Sequence, residues 1–67
     1  MKILWENNKW RISRPVDGGL PRILLFDKKD HQNIGAFFDD TSYAKIGDIP
    51  KYVWKKVEYY HKIRKLL

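Results

Sequence analysis

The chain has no cysteine, and this absence excludes two ways of bracing a small fold. A disulfide cannot form, and neither can a zinc site built from thiolates. The 67 residues predict a single domain spanning residues 1–67. A domain of this size buries only about 60% of the surface that its unfolded chain exposes. Three Trp, four Tyr and three Phe supply large rings, which help a small core to bury enough apolar area.

Long apolar runs are also missing. No stretch of about 18 apolar residues occurs, so the sequence predicts no membrane span. A lysine follows the first methionine directly, and the next few residues do not make the apolar core of a secretory signal peptide. The absence of cysteine is consistent with a reducing compartment. We therefore expect a soluble, cytoplasmic protein that does not bind membranes.

The last third of the chain predicts one amphipathic helix over residues 48–67, about 30 Å long at about 1.5 Å per residue. Asp48 can cap its first turn, and Pro50 suits that turn because its missing N–H is not needed there. At about 100° per residue, an apolar arc and a lysine arc lie on opposite sides. The apolar arc contains Ile49, Tyr52, Val53, Val57, Tyr60, Ile63 and Leu67. The lysine arc contains Lys51, Lys55, Lys62 and Lys65, with Glu58 among them. Lys56 and Arg64 project from the apolar arc and must extend past its edge or reach a partner.

Residues 2–14 predict a β-hairpin that turns at Asn7-Asn8, because Asn tolerates the positive φ of a two-residue type I′ turn. This turn would pair Trp5 with Trp10 and would place the apolar side chains on one face. That face contains Ile3, Trp5, Trp10 and Ile12. The other face contains Lys2, Leu4, Glu6, Lys9, Arg11 and Ser13. Such a division is typical of a half-buried antiparallel pair.

A second hairpin is predicted over residues 22–38, after a loop rich in Gly and Pro. Its strands, 22–26 and 34–38, flank the polar run 27–33 and are apolar on both faces. We therefore expect the helix to cover one face and an apolar strip to stay exposed on the other. Residues 39–47 can form either a single helical turn or an irregular link.

The predicted fold class is α+β: a small antiparallel sheet of two β-hairpins, about four strands, with one C-terminal amphipathic α-helix packed across it. The side chains that should form the core come from both hairpins and from the helix. They are Ile3, Trp5, Trp10, Ile12, Leu25, Phe26, Phe38, Val53, Val57 and Tyr60.

No arrangement of residues predicts catalysis, a cofactor or a metal site. The nearest candidates are Asp27, Asp30, His31, Asp39 and Asp40. Their spacing matches no metal-binding loop, and Asp is an ordinary turn former in a hairpin loop. His61 lies beside Trp54 on a flank of the helix and is interpreted as a surface or boundary residue. We therefore expect a protein that is not an enzyme.

The net charge of +6 is unevenly distributed. Residues 1–22 hold five basic and two acidic side chains, a net of +3, and residues 23–48 hold three basic and five acidic ones, a net of −2. Residues 49–67 hold six basic and one acidic side chain, a net of +5. Basic ends of this kind attract nucleic acid, anionic lipid or an acidic protein surface.

The first functional hypothesis is a small basic module that binds the backbone of RNA or DNA through the helix and the first hairpin. The residues expected to contact phosphate are Lys9, Arg11, Arg14, Lys51, Lys55, Lys62 and Lys65. Trp54 and Tyr59 are candidates for stacking on unpaired bases. Such binding should depend strongly on salt and little on sequence.

The alternative hypothesis is a protein-interaction or inhibitor domain, such as a phage or mobile-element accessory protein that blocks a host component. The exposed apolar strip and the basic ends suit docking on a larger partner with an acidic surface. The acidic middle of one copy can also meet the basic helix of another, which would give a homodimer. The sequence leaves both hypotheses open.

Overall fold

A computed structural model describes residues 1–37 and 49–67. The described elements are β1 (Lys2–Glu6), β2 (Trp10–Arg14), β3 (Ile23–Asp27), β4 (Gln32–Phe37), α1 (Lys51–Lys62) and a short 3₁₀ helix (Arg64–Leu66). The strands form one antiparallel sheet in the order β1-β2-β3-β4, and α1 packs on one face of it. This architecture confirms the α+β prediction. Within the described residues, no helix is long and apolar enough to cross a membrane.

The core lies between α1 and the face of the sheet that α1 covers. Its buried apolar side chains are Trp10, Ile12, Ile23, Leu25, Phe37, Val53, Trp54 and Val57. Of the predicted core, Trp10, Ile12, Leu25, Val53 and Val57 are buried as expected. Trp5 and Tyr60 are partly buried and pack against this cluster.

Two predicted core residues lie elsewhere. Ile3 keeps 48% of its surface exposed, and Phe26 pairs with Arg11 on the face of the sheet that points away from α1. Successive strand residues alternate between faces, so Phe26 cannot join Leu25 under the helix. Phe38 lies outside the described residues. The sequence interpretation also missed Trp54, whose ring meets the edge of Phe37 at 5.6 Å between centroids.

The first hairpin forms, but its predicted register and turn type are wrong. Trp5 pairs with Ile12 rather than with Trp10. The side-chain oxygen of Asn7 accepts hydrogen bonds from the backbone N–H groups of Lys9 at 2.9 Å and Trp10 at 2.8 Å. These bonds hold a turn in which neither Asn7 nor Asn8 has a positive φ, whereas a type I′ turn needs two such residues.

A β-bulge at Leu4 explains the changed faces of β1. The pairing shifts by one residue between Ile3, which pairs with Ser13, and Trp5, which pairs with Ile12. The extra residue allows both Leu4 and Trp5 to pack against the core, and Ile3 then points to the other face. Leu4, predicted on the polar face, therefore helps to cover the core.

The second hairpin has a tighter turn than predicted, because β3 ends at Asp27 and β4 begins at Gln32. The Asp27 carboxylate accepts hydrogen bonds from the backbone N–H groups of Lys29 at 3.0 Å and Asp30 at 3.1 Å. His31 completes the turn with a φ of 55°, in the left-handed region. Asp27, Asp30 and His31, three of the nearest candidates for a catalytic or metal site, thus form a turn.

The helix is shorter than predicted. α1 begins at Lys51, after Pro50, whose carbonyl oxygen accepts hydrogen bonds from the N–H groups of Val53 and Trp54. It ends at Lys62, and its 12 residues make it about 18 Å long rather than about 30 Å. The predicted cap, Asp48, lies outside the described residues.

The face that α1 buries is also rotated from the predicted apolar arc. Trp54, His61 and Arg64 are buried, whereas Tyr52 keeps 54% of its surface exposed. The interpretation of His61 as a surface or boundary residue is therefore wrong. Arg64 donates a hydrogen bond from Nη1 to the carbonyl oxygen of His61 at 2.6 Å, within the last turn of the helical segment.

Candidate functional site

Four exposed lysines follow the solvent side of the C-terminal segment. We call them the lysine face: Lys51, Lys55, Lys62 and Lys65. The ion pairs that the structure describes join Arg11 and Lys28 to Glu6, and Arg22 to Asp17. All of these lie in the sheet and its loops. Among residues 1–37 and 49–67, no acidic side chain forms an ion pair with the lysine face. Glu58 is exposed on the same side of α1, so the four lysines and this glutamate together leave a net positive charge of three.

Arg11 lies apart from this surface. Its Nε is 3.0 Å from Glu6 Oε2, and its guanidinium lies 5.7 Å from the ring centroid of Phe26, on the face of the sheet away from α1. Hydrogen bonds from Arg11 and Lys28 lower the pKa of Glu6, so the carboxylate stays ionised. Arg11 therefore does not extend the lysine face.

The other two hairpin cations lie near opposite ends of α1. Lys9 belongs to the turn whose Asn7 contacts Tyr52, in the first turn of α1, and its Nζ is 5.1 Å from the ring centroid of Trp10. Arg14 donates hydrogen bonds to the carbonyl oxygens of Arg64 at 3.4 Å and Pro15 at 3.2 Å, near the C-terminal end. Both residues thus lie near the ends of the helical segment, and the contacts described for them do not include the lysine face.

The two predicted stacking residues have different environments. Trp54 exposes only 5% of its surface, and its ring packs on Phe37, so it offers no face to a base. This burial corrects the stacking role predicted for Trp54. Tyr59 exposes 58% of its surface and makes an edge-to-face contact with Tyr60 at 5.2 Å between centroids. Tyr59 therefore remains accessible to a ligand.

An open groove runs along one flank of α1, beside the lysine face. It has a volume of about 480 Å³ and is lined by Tyr52, Lys55, Lys56, Tyr59 and Tyr60. We call it the tyrosine groove. Its volume is in the range of small-ligand sites, about 300–1,000 Å³. Lys55 belongs to both surfaces, so the groove and the lysine face are continuous.

Contacts with β1 and the first turn hold two tyrosines of the groove in place. The Tyr52 hydroxyl accepts a hydrogen bond from Asn7 Nδ2 at 3.1 Å, and its ring meets Trp5 edge to face at 6.3 Å between centroids. The Tyr60 hydroxyl donates to the carbonyl oxygen of Leu4 at 3.2 Å. These bonds fix the groove relative to the edge of the sheet.

The position of Lys56 follows from the same packing. Its Nζ lies 5.8 Å from the ring centroid of Trp5, within the distance at which a cation is attracted to an aromatic face. Lys56 thus extends past the edge of the core and adds a second ammonium group to the tyrosine groove. Lys56, which belongs to neither the apolar arc nor the lysine arc of the predicted helix, thus lines the tyrosine groove.

The spacing of the groove residues along the sequence could have indicated this groove before the structure was known. Its lining residues are spaced at intervals of three, one, three and one along α1, which places them on one flank of a helix. The helical wheel predicts Tyr52 and Tyr60 on the apolar arc instead. Only Lys55 and Tyr59 were predicted as site residues, because the wheel alone does not show which arc the sheet covers.

The face of the sheet away from α1 presents a second, smaller depression of about 300 Å³. It is lined by Met1, Arg11, Ser13, Leu24, Phe26 and Asn33. Leu24 and Phe26 are only half-buried there, and Ile3 is exposed nearby in the strand register. This is the position at which the sequence predicted an apolar strip.

The acidic side chains suggest no metal centre in the described part of the chain. Within residues 1–37 and 49–67, no group of three or more His, Asp or Glu side chains is placed to hold a metal ion. Asp39 and Asp40 lie outside those residues.

Comparisons with known proteins found no match. No protein-family model, no curated protein and no solved structure matches this chain.

Proposed function

We propose that this protein is a small, non-enzymatic module that binds the backbone of RNA or DNA. The observation that supports this proposal is the lysine face, which is exposed and has no ion pair with any described acidic side chain. When lysines contact the phosphates of a polyanion, they displace the counterions condensed on it. The release of these counterions favours binding to such a surface. Lys9 and Arg14, near the two ends of the helical segment, supply further positive charge to the same proposed ligand.

A matched pair of charge-reversal variants tests the proposal. Lys51→Glu/Lys62→Glu replaces two positive charges of the lysine face with negative ones, and Lys2→Glu/Lys29→Glu makes the same change in net charge at exposed positions on the sheet and its turn. Binding of labelled RNA and DNA oligonucleotides is measured by fluorescence anisotropy over a series of salt concentrations. We expect the first variant to bind much more weakly and the second to bind nearly as the wild type does.

The salt dependence gives a quantitative check. Each phosphate contact contributes about 0.9 to the slope of log K against log salt for duplex DNA. Losing two contacts should therefore reduce the magnitude of the slope by about 1.8, and the two introduced glutamates should reduce it further. Failure of the wild-type protein to bind either polymer at low salt would rule out the proposal. Equal losses in the two variants would show that only the net charge matters.

A protein-interaction or inhibitor domain is the second candidate, and the depression around Leu24 and Phe26 favours it. Contiguous exposed apolar patches often mark protein contact sites. Affinity capture with the wild type and with Leu24→Ser tests this candidate. A partner that the wild type retains and Leu24→Ser loses would support it, whereas identical captured sets would contradict it.

A further inference from the structure

The lysine face and the tyrosine groove meet along one edge of α1. On a helical wheel of about 100° per residue, Lys51 and Lys62 lie on one side of Lys55, and Tyr52 and Tyr59 lie on the other. A ligand that contacts both surfaces therefore meets ammonium groups along one side and aromatic rings along the other. A nucleic acid strand has the complementary arrangement, with phosphates on one side and flat bases on the other.

Two tyrosine rings of the groove are accessible. Tyr52 exposes 54% of its surface and Tyr59 exposes 58%. They are seven residues apart, which corresponds to about 10 Å along the helix axis. This separation is larger than the thickness of one base, so a single base cannot lie against both rings in the same stack. The two rings can therefore contact separate bases of one short segment.

We propose that the tyrosine groove binds unpaired bases, so that the protein prefers single-stranded nucleic acid to a duplex. Tyr52 and Tyr59 stack on bases, and Lys55 and Lys56 contact the adjoining phosphates. Aromatic stacking of this kind depends little on sequence, because every base has a flat π-face. In a duplex the bases are paired and stacked on one another, and their faces do not reach the rings. This inference rests on the proposed function and adds the class of nucleic acid.

The groove is organised before any ligand arrives. Asn7 and Trp5 hold Tyr52, Leu4 holds Tyr60 through its carbonyl oxygen, and Tyr60 supports the ring of Tyr59. Side chains that are already fixed lose little rotamer freedom on binding, so more of the stacking energy contributes to affinity. The rings are thus placed by the fold.

An acidic peptide is the competing occupant. It would interact with the lysines, but Asp and Glu side chains have no flat ring to place on Tyr52 or Tyr59. Single-stranded nucleic acid matches both the charge and the aromatic faces, and for that reason we infer it rather than the peptide. Polyglutamate serves as the probe for the alternative.

The test compares a labelled single strand with a duplex of the same length, about 12 nucleotides, which falls within the site sizes of known single-strand binders. The protein variants are Tyr59→Leu, which removes the ring, and Tyr59→Phe, which keeps it. Tyr59 is mostly exposed, so neither change should unfold the chain, and a thermal melt checks this. We expect Tyr59→Leu to weaken single-strand binding about tenfold and to leave duplex binding within about twofold.

The outcomes separate this inference from the proposed function. If the wild type binds strand and duplex equally, and Tyr59→Leu changes neither, the groove inference is wrong and binding by the lysine face still stands. Absence of binding to both polymers overturns both proposals. Polyglutamate binding that Tyr59→Leu weakens as much as it weakens single-strand binding would assign the groove to an acidic protein surface. Retained single-strand binding in Tyr59→Phe, with the loss in Tyr59→Leu, supports base stacking.

Discussion

The hydroxyl of Tyr60 donates a hydrogen bond to the main-chain carbonyl oxygen of Leu4 at 3.2 Å, across 56 positions of sequence. Leu4 is the bulged residue of β1, an edge strand of the sheet. A bulge disrupts the regular ladder of hydrogen bonds, and here a tyrosine from α1 contacts the backbone at that point. This bond joins the edge of the sheet to one wall of the tyrosine groove.

Replacing Tyr60 by Phe should remove this hydrogen bond and keep the packing of the ring. We expect the free energy of unfolding to fall by about 1 kcal/mol, the usual net contribution of such a bond. Urea denaturation measures the change. Tyr59→Phe is the matched control, because its ring is mostly exposed and should show no comparable loss. Equal stability of the two variants would show that the Leu4 contact contributes nothing.

Trp10 is the largest core side chain of β2 and exposes only 4% of its surface. Trp10→Ala should lower the free energy of unfolding by about 3 kcal/mol or more, since it removes a buried indole and leaves a cavity. Trp5, which is only partly buried, provides the comparison, and Trp5→Ala should cost less. A melting temperature near that of the wild type for Trp10→Ala would contradict its place at the centre of the core.

The architecture could be predicted because it depends on local patterns. Alternating apolar residues, turn residues and a long helical period identify four strands and a helix without any tertiary information. The register of the first hairpin could not be predicted in the same way. Asn7 suits either a positive φ or a side-chain acceptor, and the sequence does not distinguish the two. The bulge at Leu4 depends on packing against α1, which is distant in sequence.

The candidate site was only partly predictable for a similar reason. The lysine face follows from charge and helical period, and the structure places those side chains in solvent. The tyrosine groove depends on which arc of α1 the sheet covers. Because Trp54 packs against Phe37, the buried face turns toward it and Tyr52 is left exposed. A helical wheel shows the arcs but not this choice.

The loop before β3 predicts an effect of acid on stability. Arg22 forms a hydrogen-bonded ion pair with Asp17, and the N–H of Gly19 also donates to this carboxylate, at 3.0 Å. The Arg22 hydrogen bond is the main cause that lowers the pKa of Asp17 from 3.8 to about 2. A carboxylate with a lowered pKa stabilises the fold above its unfolded pKa, and this contribution is lost as the pH falls through the folded value.

We therefore expect the melting temperature of the wild type to fall as the pH drops from 3.8 to about 2, and to fall less in Asp17→Asn. Melting curves across this interval measure the difference. Glu6 also has a lowered pKa, but its effect on the melting temperature is the same in both proteins and does not contribute to the difference between them. The ion pair is exposed, and the effect should be small. Parallel curves for the two proteins would contradict the prediction.

Asn7 stabilises the first turn and links it to the tyrosine groove. Its Oδ1 accepts the N–H groups of Lys9 and Trp10, and its Nδ2 donates to Tyr52. Asn7→Ala should lower the free energy of unfolding by about 1–2 kcal/mol, because the turn loses its side-chain acceptor. Asn7→Asp keeps an acceptor in the same place and should cost less. Chemical denaturation that gives equal losses for the two variants would show that the acceptor does not hold the turn.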